Sequence, residues 1–320
     1  MNPETYLVTG GAGFIGSHLV EHLVRRGAAV RVVDNFVTGN RNNLAGLEAV
    51  ELIEGDLADA EVARRSVAGV AYVLHQAAIP SVPRSVEDPL TSHRANIDAT
   101  LQLLIAARDA GVRRVVYAAS SSAYGDTPTL PKVETMATAP RSPYALQKLV
   151  GEQYAELFTK LYGLETASIR YFNVFGPRQD PESPYSGVIA RFITALIRGA
   201  RPTIYGDGEQ TRDFTYIDDI VAGVLACMGT LVADDDKAAP MRLYNLGNNR
   251  SEPLMRFIAI LEGALGHKAE IEFQPIQRGD VKETYADITA AARDFGFAPK
   301  TTIDEGLPKL VAWYHEHYDV

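Results

Sequence analysis

Tyr144 and Lys148 stand four residues apart, so on a helix they share one face. A tyrosine beside an ammonium group can ionise well below its ordinary pKa of about 10. That makes it a base able to take a proton from an alcohol at neutral pH. Ser120 ends an apolar run, Val115-Val116-Tyr117-Ala118-Ala119, that reads as a buried strand. A hydroxyl at the carboxyl end of such a strand lies where open α/β sheets bind ligands. The same residues also make an ordinary helix start, with Ser142 as cap and Pro143 in the first turn. Tyr-x-x-x-Lys alone does not separate these readings; the glycine-rich start of the chain does.

The elements that must position this pair alternate between strand and helix. Thr5 to Thr9 reads as a short apolar strand, followed at once by Gly10-Gly11-Ala12-Gly13-Phe14-Ile15-Gly16. An amphipathic helix is predicted over about 13–26 and a second strand over Val30 to Asp34. The glycines let backbone N–H groups approach a pyrophosphate at the helix N-terminus, where the dipole favours negative charge. Asp34 closes the second strand, 18 residues after Gly16. A carboxylate there accepts hydrogen bonds from the adenosine ribose and repels a 2′-phosphate, so NAD rather than NADP is expected. Further strands are predicted near 50–56, 71–75, 113–119 and 166–170, with helices near 60–67, 92–110 and 143–163. This alternation implies a parallel sheet covered on both faces. Asp56 ends the third strand, where meeting the adenine and simply forming a turn are both open.

After Arg170 the pattern changes to loops and short elements, with helices near 187–198, 254–265, 289–295 and 303–315 and short strands at 243–246 and 270–273. The fold expected is a Rossmann-type doubly wound α/β sheet with a smaller, discontinuous α/β substrate lobe. The first domain takes 1–172 plus about 214–238, and the lobe about 173–213 plus 239–320. Clefts between such lobes commonly hold ligands.

Composition bounds the rest. The 320 residues are 46% hydrophobic and 22% charged, ordinary for a globular protein. A formal net charge of −9 argues against nucleic-acid or anionic-membrane partners. The single cysteine, Cys227, lies in an apolar run and reads as a core thiol. With no membrane-length apolar run and no signal-peptide pattern, a cytoplasmic location is expected. The seven histidines show no metal-site spacing, so no metal is expected.

These residues together resemble the extended short-chain dehydrogenase/reductase family, specifically its nucleotide-sugar epimerases and dehydratases. The resemblance rests on Thr9 to Gly16, Asp34-Asn35, Gly55-Asp56, His75-Gln76-Ala77-Ala78, Ser120 to Gly125, Tyr144 with Lys148, Arg170 to Arg178, and Gly206-Asp207-Gly208 with Thr211 to Phe214. It implies bound NAD, a nucleoside-diphosphate sugar and a homodimer. Within it, NAD is held by Gly10, Gly13, Phe14, Ile15 and Gly16 in the first turn, by Asp34 and Asn35 after the second strand, and by Asp56 and Leu57 after the third. Ala77, Ala78, Asn96 and Tyr171 complete that contact with Tyr144 and Lys148. Asn96 either orders the active-site helix through a water or is a plain helix residue.

The implied mechanism makes Tyr144 the base for the sugar 4-hydroxyl and Lys148 the holder of the nicotinamide ribose. Ser120 hydrogen-bonds the 4-oxygen and passes the proton. Related 4,6-dehydratases carry Asp-Glu where this chain has Ser121 and Ser122. Serines do not readily supply the proton transfers of an elimination, which favours plain 4-epimerisation, although simple loop hydrogen bonding also accounts for both. On the substrate side the resemblance implies Asn173 near the diphosphate, Arg212 on phosphate oxygens, and Tyr205 and Val188 around uridine. Asp280 assists that network, while Gln277 departs from the common pattern and leaves a phosphate role for Arg278 unsupported. Thr284 stands at a gate where a small residue leaves room for an N-acetyl group. Arg178 either faces a carboxylate, as in glucuronate epimerases, or supports its loop.

The reading reached is an NAD-dependent UDP-sugar 4-epimerase acting on UDP-glucose or UDP-N-acetylglucosamine. A UDP-glucuronate 4-epimerase or decarboxylase is the alternative within the fold. A noncatalytic NAD sensor has no use for a base beside the nicotinamide. Apolar residues on more than one face of the 92–111 and 143–163 helices suggest a partner subunit.

Overall fold

The computed structural model describes residues 4–180, 192, 195–196, 200–230, 242–275 and 283–318. In chain order the first half runs β1 (Thr5–Thr9), α1 (Phe14–Arg25), β2 (Ala29–Asp34), β3 (Glu51–Glu54), α2 (Ala60–Val67) and β4 (Tyr72–His75). It continues through α3 (Val82–Glu87), α4 (Pro89–His93), α5 (Ala99–Asp109), β5 (Arg114–Ser120), α6 (Pro143–Tyr162) and β6 (Glu165–Tyr171). The second half holds β7 (Val174–Phe175), β8 (Thr203–Tyr205), β9 (Thr211–Arg212), β10 (Thr215–Tyr216), α7 (Ile217–Thr230), β11 (Arg242–Leu246) and β12 (Glu252–Pro253). It ends with α8 (Leu254–Leu265), β13 (Glu272–Gln274), β14 (Glu283–Thr284), α9 (Thr289–Phe295) and α10 (Ile303–His317).

Seven strands form one parallel sheet in the order β11-β6-β5-β4-β1-β2-β3. The β-branched run of each central strand suits burial on both faces. Successive side chains point to opposite faces. Leu7 joins a core with Ala63 of α2, Leu103 of α5 and Phe158 of α6, while Val8 joins one with Leu19 of α1, Val221 of α7 and Leu310 of α10. Each such Val, Leu or Phe side chain contributes roughly 1.5–3 kcal/mol by leaving water. The strand order reverses between β1 and β4, where Thr9 pairs with His75. A crevice opens at such a switch point.

Helix α6 is well bounded. Ser142 accepts from the Ala145 N–H at 3.1 Å, Pro143 opens the first turn, and Gly163 closes the helix at φ 71°. The helix predicted over 92–110 begins earlier and is broken: α3 and α4 start at caps Ser81 and Asp88, and a π-helical turn over Arg94–Asp98 precedes α5. Pro83 and Pro89 mark helix starts there, not a loop.

Among the described residues, small sheets separate from the main one are β12-β9-β14, β13 with β8 and β10 with β7. One boundary needs correction. The strand at 243–246, placed in the lobe from sequence, is β11 and pairs with β6 in the main sheet, Leu243 against Ser168 and Tyr244 against Ile169. Its alternation does not reveal its neighbour, because register with β6 joins residues 75 apart. The predicted helix near 187–198 lies largely outside the described residues.

Candidate active site

The glycine turn between β1 and α1 is sterically dictated. Gly10 has φ +64°, and a Cβ there would lie 2.8 Å from the backbone of Ala77. A Cβ on Gly16 would lie 2.1 Å from the Gly10 carbonyl oxygen. The start of α1 therefore presses onto the loop and turns its free N–H groups to the cavity. Asp34 ties β2 to this turn, its Oδ2 accepting from Ala12 N at 2.9 Å and its Oδ1 from Phe36 N at 2.8 Å. Burial raises the pKa of this carboxyl and the N–H donors oppose it. Each oxygen keeps a further lone pair for a ribose hydroxyl. Asp56 accepts from Ala58 N at 2.9 Å, the turn expected of it, and lies on the cavity wall as well.

Ser120 is the last residue of β5, in register with Tyr171 of β6. Tyr144 opens α6 with its N–H bonded to Ser85 Oγ at 3.1 Å, and Lys148 follows one turn later. The Lys148 ammonium donates to the Ala118 carbonyl at 2.8 Å, anchoring α6 on β5. Burial pushes the Tyr144 phenol above its ordinary value, with only the Ser120 hydrogen bond opposing. Burial likewise pushes Lys148 down to about 7, against the charge of Glu152. Spacing places the pair on one face, but the apolar packing that desolvates both is set by the sheet. Glu152 is held by both arms of Arg170, at 2.9 and 2.7 Å.

Asn96 departs from the expected cofactor contact. It is buried off the cavity wall, accepting from Ile79 N at 2.8 Å and donating to Gln147 of α6 at 2.9 Å. Ser92 donates to the same Gln147 oxygen at 2.7 Å. The link to α6 is thus direct, without a bridging water. Gln147 and Ser92 were missed because nothing in their spacing pairs residues 55 apart.

A second buried chain starts at Ala77 N, which donates to Thr9 Oγ1 at 3.1 Å. Thr9 Oγ1 lies 2.7 Å from His75 Nδ1, and His75 Nε2 lies 2.9 Å from Thr100 Oγ1, which itself donates to the Asn96 carbonyl. Thr100 has spent its proton, so His75 donates from Nε2 and accepts at Nδ1. Burial first, and the Lys148 charge second, push this imidazole down to about 3.

On the other side of the crevice Ser121 and Ser122 form a 3-10 turn after β5 and face the cavity. Asn173 donates to the Asp213 carbonyl at 3.1 Å and reaches the same space, as do Tyr205 and Arg212. Asp213, not singled out from sequence, accepts from the backbone of Asn248, Asn249 and Ala286 at 2.6, 3.1 and 3.0 Å. Burial pushes it up to about 6, and it clamps β9 and β14 together. Thr284 sits in β14 in register with Arg212 and does not line the cavity. Arg178, at φ +65°, donates to Glu21 at 2.7 Å, which supports its loop. Val188 and Asp280, with Gln277 and Arg278, lie outside the described residues.

One cavity of about 1390 Å³ joins these groups, bringing together the glycine turn, Asp34, Asn35, Leu57, Ala78, Tyr171, the Ser120–Tyr144–Lys148 cluster and Arg212. That volume exceeds the roughly 300–1,000 Å³ of a single small-molecule site. The wall carries an unsatisfied donor: Gln76 accepts from Tyr171 Oη at 3.1 Å, and its buried Nε2 has no partner. The glycine cradle, the Asp34 acceptors and this amide fit a dinucleotide. Among the described residues no cluster of three His, Cys, Asp or Glu is placed to hold a metal, and no helix is long and apolar enough to cross a membrane.

The pattern of the NAD dependent epimerase/dehydratase family matches residues 6–247. A UDP-glucose 4-epimerase of Mycolicibacterium smegmatis is 37% identical over 313 residues, covering 96% of this chain and 97% of that protein. UDP-glucuronate 4-epimerase 6 of Arabidopsis thaliana is 36% identical over 335 residues, covering 98% of this chain and 72% of the relative. The solved UDP-N-acetylglucosamine 4-epimerase of Methanobrevibacter ruminantium, in complex with UDP-N-acetylmuramic acid, superposes with TM-score 0.90 at 36% identity, covering 99% of each chain.

Proposed function

We propose, from the premise that this chain belongs to the NAD dependent epimerase/dehydratase family, that it inverts C4 of a UDP-sugar through a transient 4-ketose. The observation that carries this reading is the convergence of Ser120, Tyr144 and Lys148 on one wall of the cavity, beside the glycine cradle. NAD, when bound, would supply the oxidant for C4 and a fixed positive charge that favours the ionised Tyr144 phenol against the effect of burial, and would be regenerated within each turnover. Gly10 to Gly16, Asp34 and Lys148 would hold it. The protein's own work is orientation and proton handling. Tyr144 takes the proton of the 4-hydroxyl and returns it after the ketose has turned over. Ser120 donates a hydrogen bond to the same oxygen. Arg212 suits phosphate oxygens, and Asn173 and Tyr205 hold the rest of the nucleotide.

Within this reading the favoured sugars are neutral: UDP-glucose with UDP-galactose, and UDP-N-acetylglucosamine with its epimer. One observation supports neutral sugars over a uronate: the Arg178 guanidinium is paired with Glu21. Ser121 and Ser122 bring no acid for elimination or decarboxylation, which speaks against a decarboxylase. The UDP-glucuronate reading draws on the plant relatives.

The active unit in this proposal is a homodimer. Val86 of α3, Leu90 of α4 and Leu161 of α6 are 63%, 82% and 66% exposed on neighbouring helices. A second copy would cover these helix faces. The reaction is tested by incubating the purified protein with UDP-glucose, UDP-N-acetylglucosamine and UDP-glucuronate, without added NAD, and reading products by NMR. Inversion at C4 of the neutral sugars is expected. Carbon dioxide release, or turnover of UDP-glucuronate alone, overturns the choice of sugar.

A further inference from the structure

The hydroxyl of Ser120 is more constrained than its place at the end of β5 requires. A serine oxygen carries two lone pairs and one proton. The Ser122 backbone N–H points at Ser120 Oγ at 3.2 Å, and the Ser122 hydroxyl donates to the same oxygen at 2.8 Å. Both lone pairs are therefore occupied by one residue, two positions along the 3-10 turn. The proton is what Ser120 has left to offer, and the phenol of Tyr144 is its neighbour across the cavity wall. The turn itself is rigidly seated: Gly125 closes it at φ +62°, where a Cβ would lie 1.9 Å from the Ala139 carbonyl oxygen.

We infer that Ser122 is a positioning residue that commits Ser120 to the role of donor. Resting on the epimerase reading above, this gives the proton a direct route. The O–H bond of the sugar 4-hydroxyl breaks, its electron pair stays on the 4-oxygen, and the proton forms a new O–H bond on the Tyr144 phenolate. Ser120 keeps its own proton and lends it as a hydrogen bond to whichever oxygen carries charge. A relay through Ser120 would need a lone pair free to receive the sugar proton, and Ser122 occupies both. The pattern also gives Ser122 a function unlike that of the acids found at its place in elimination enzymes. It acts through Ser120, not on the sugar.

The test uses the full-length, NAD-loaded protein and the UDP-sugar that it turns over. Ser122→Ala is expected to lower kcat about tenfold with KM within twofold, and Ser122→Thr, which keeps the hydroxyl, to restore kcat to within about threefold. In a Ser120→Ala background, Ser122→Ala should change kcat by less than twofold, because its action passes through Ser120. A raised KM with kcat intact, or an undiminished loss in the Ser120→Ala background, would overturn the inference. A second measurement is independent of turnover. In protein carrying ring-labelled tyrosine, the Tyr144 phenol, which shares its surroundings with Lys148 of α6 and Tyr117 of β5, is titrated by NMR. Ser122→Ala should move its ionisation to higher pH, and should move nothing once Ser120 is alanine. An unmoved Tyr144 titration rejects the role of Ser122 even if the protein turns over no UDP-sugar at all. Absence of turnover in the unaltered protein rejects the epimerase reading instead.

Discussion

Arg178 Nη2 donates to Glu21 Oε2 at 2.7 Å, bridging the loop after β7 to helix α1. The residues beside it are pinned too: His18 Nε2 donates to the Pro177 carbonyl at 2.9 Å, and Tyr314 Oη donates to the Gln179 carbonyl at 2.6 Å. Three consecutive residues of the cavity wall are thus tied to two helices. Arg178→Ala is expected to lower the melting temperature by a few degrees and to weaken binding of UDP-glucose and UDP-glucuronate equally. Calorimetric titration with both sugars checks this; selective loss of UDP-glucuronate would assign the guanidinium to a carboxylate.

Tyr144→Phe removes the phenol oxygen while keeping the ring. General acid–base groups contribute about 10²- to 10⁴-fold, so turnover should fall by that range while the affinity for UDP stays within threefold. Product NMR and calorimetry read the two quantities separately. Near-normal turnover removes Tyr144 from the role of base.

Asp34 sets cofactor choice through charge. NAD should bind at least about tenfold more tightly than NADP, since a carboxylate repels a 2′-phosphate at close range. Asp34→Asn should narrow that ratio. It should also cost some stability, because the carboxylate accepts from Ala12 and Phe36 as well. Fluorescence titration of both dinucleotides decides the first point, and tighter NADP binding by the unaltered protein would refute it.

His75 makes the fold acid-sensitive. Its folded pKa is pushed down to about 3 by burial, with the Lys148 charge adding to it, against an unfolded value of about 6.5. Between these values the unfolded chain binds the proton and the native one does not. Stability from this group is therefore whole above pH 6.5 and is lost as pH falls toward 3. From pH 6.5 to 5 the loss is on the order of 2 kcal/mol. Asp213, raised to about 6 by burial, acts with the opposite sign between 3.8 and 6. Urea midpoints at pH 6.5 and 5 for the unaltered protein and His75→Gln isolate the histidine: the variant, less stable at pH 6.5, should show a slope shallower on acidification by about that amount.

The exposed leucines test the dimer. Leu90→Glu with Leu161→Glu, at 82% and 66% exposure, should leave the fold intact and yield a monomer by light scattering. An unaltered protein that is already a monomer would dismiss the proposed interface.

What the amino-acid sequence decided by itself is what local chemistry decides. Glycines at 10 and 16 specify a close turn because a Cβ has no room there, and apolar runs such as Val115 to Ala119 specify buried parallel strands. The four-residue spacing of Tyr144 and Lys148 puts them on one helix face wherever that helix goes. The tertiary structure decided what depends on distant neighbours. Desolvation of Tyr144 and Lys148 comes from the packed sheet. Glu21, 157 residues away, takes the charge of Arg178, and Gln147 takes Asn96 off the cofactor wall. β11 joins the main sheet because β6 offers it a free edge. Dielectric, ion-pair partners and strand neighbours are properties of space, and no spacing along the chain encodes them.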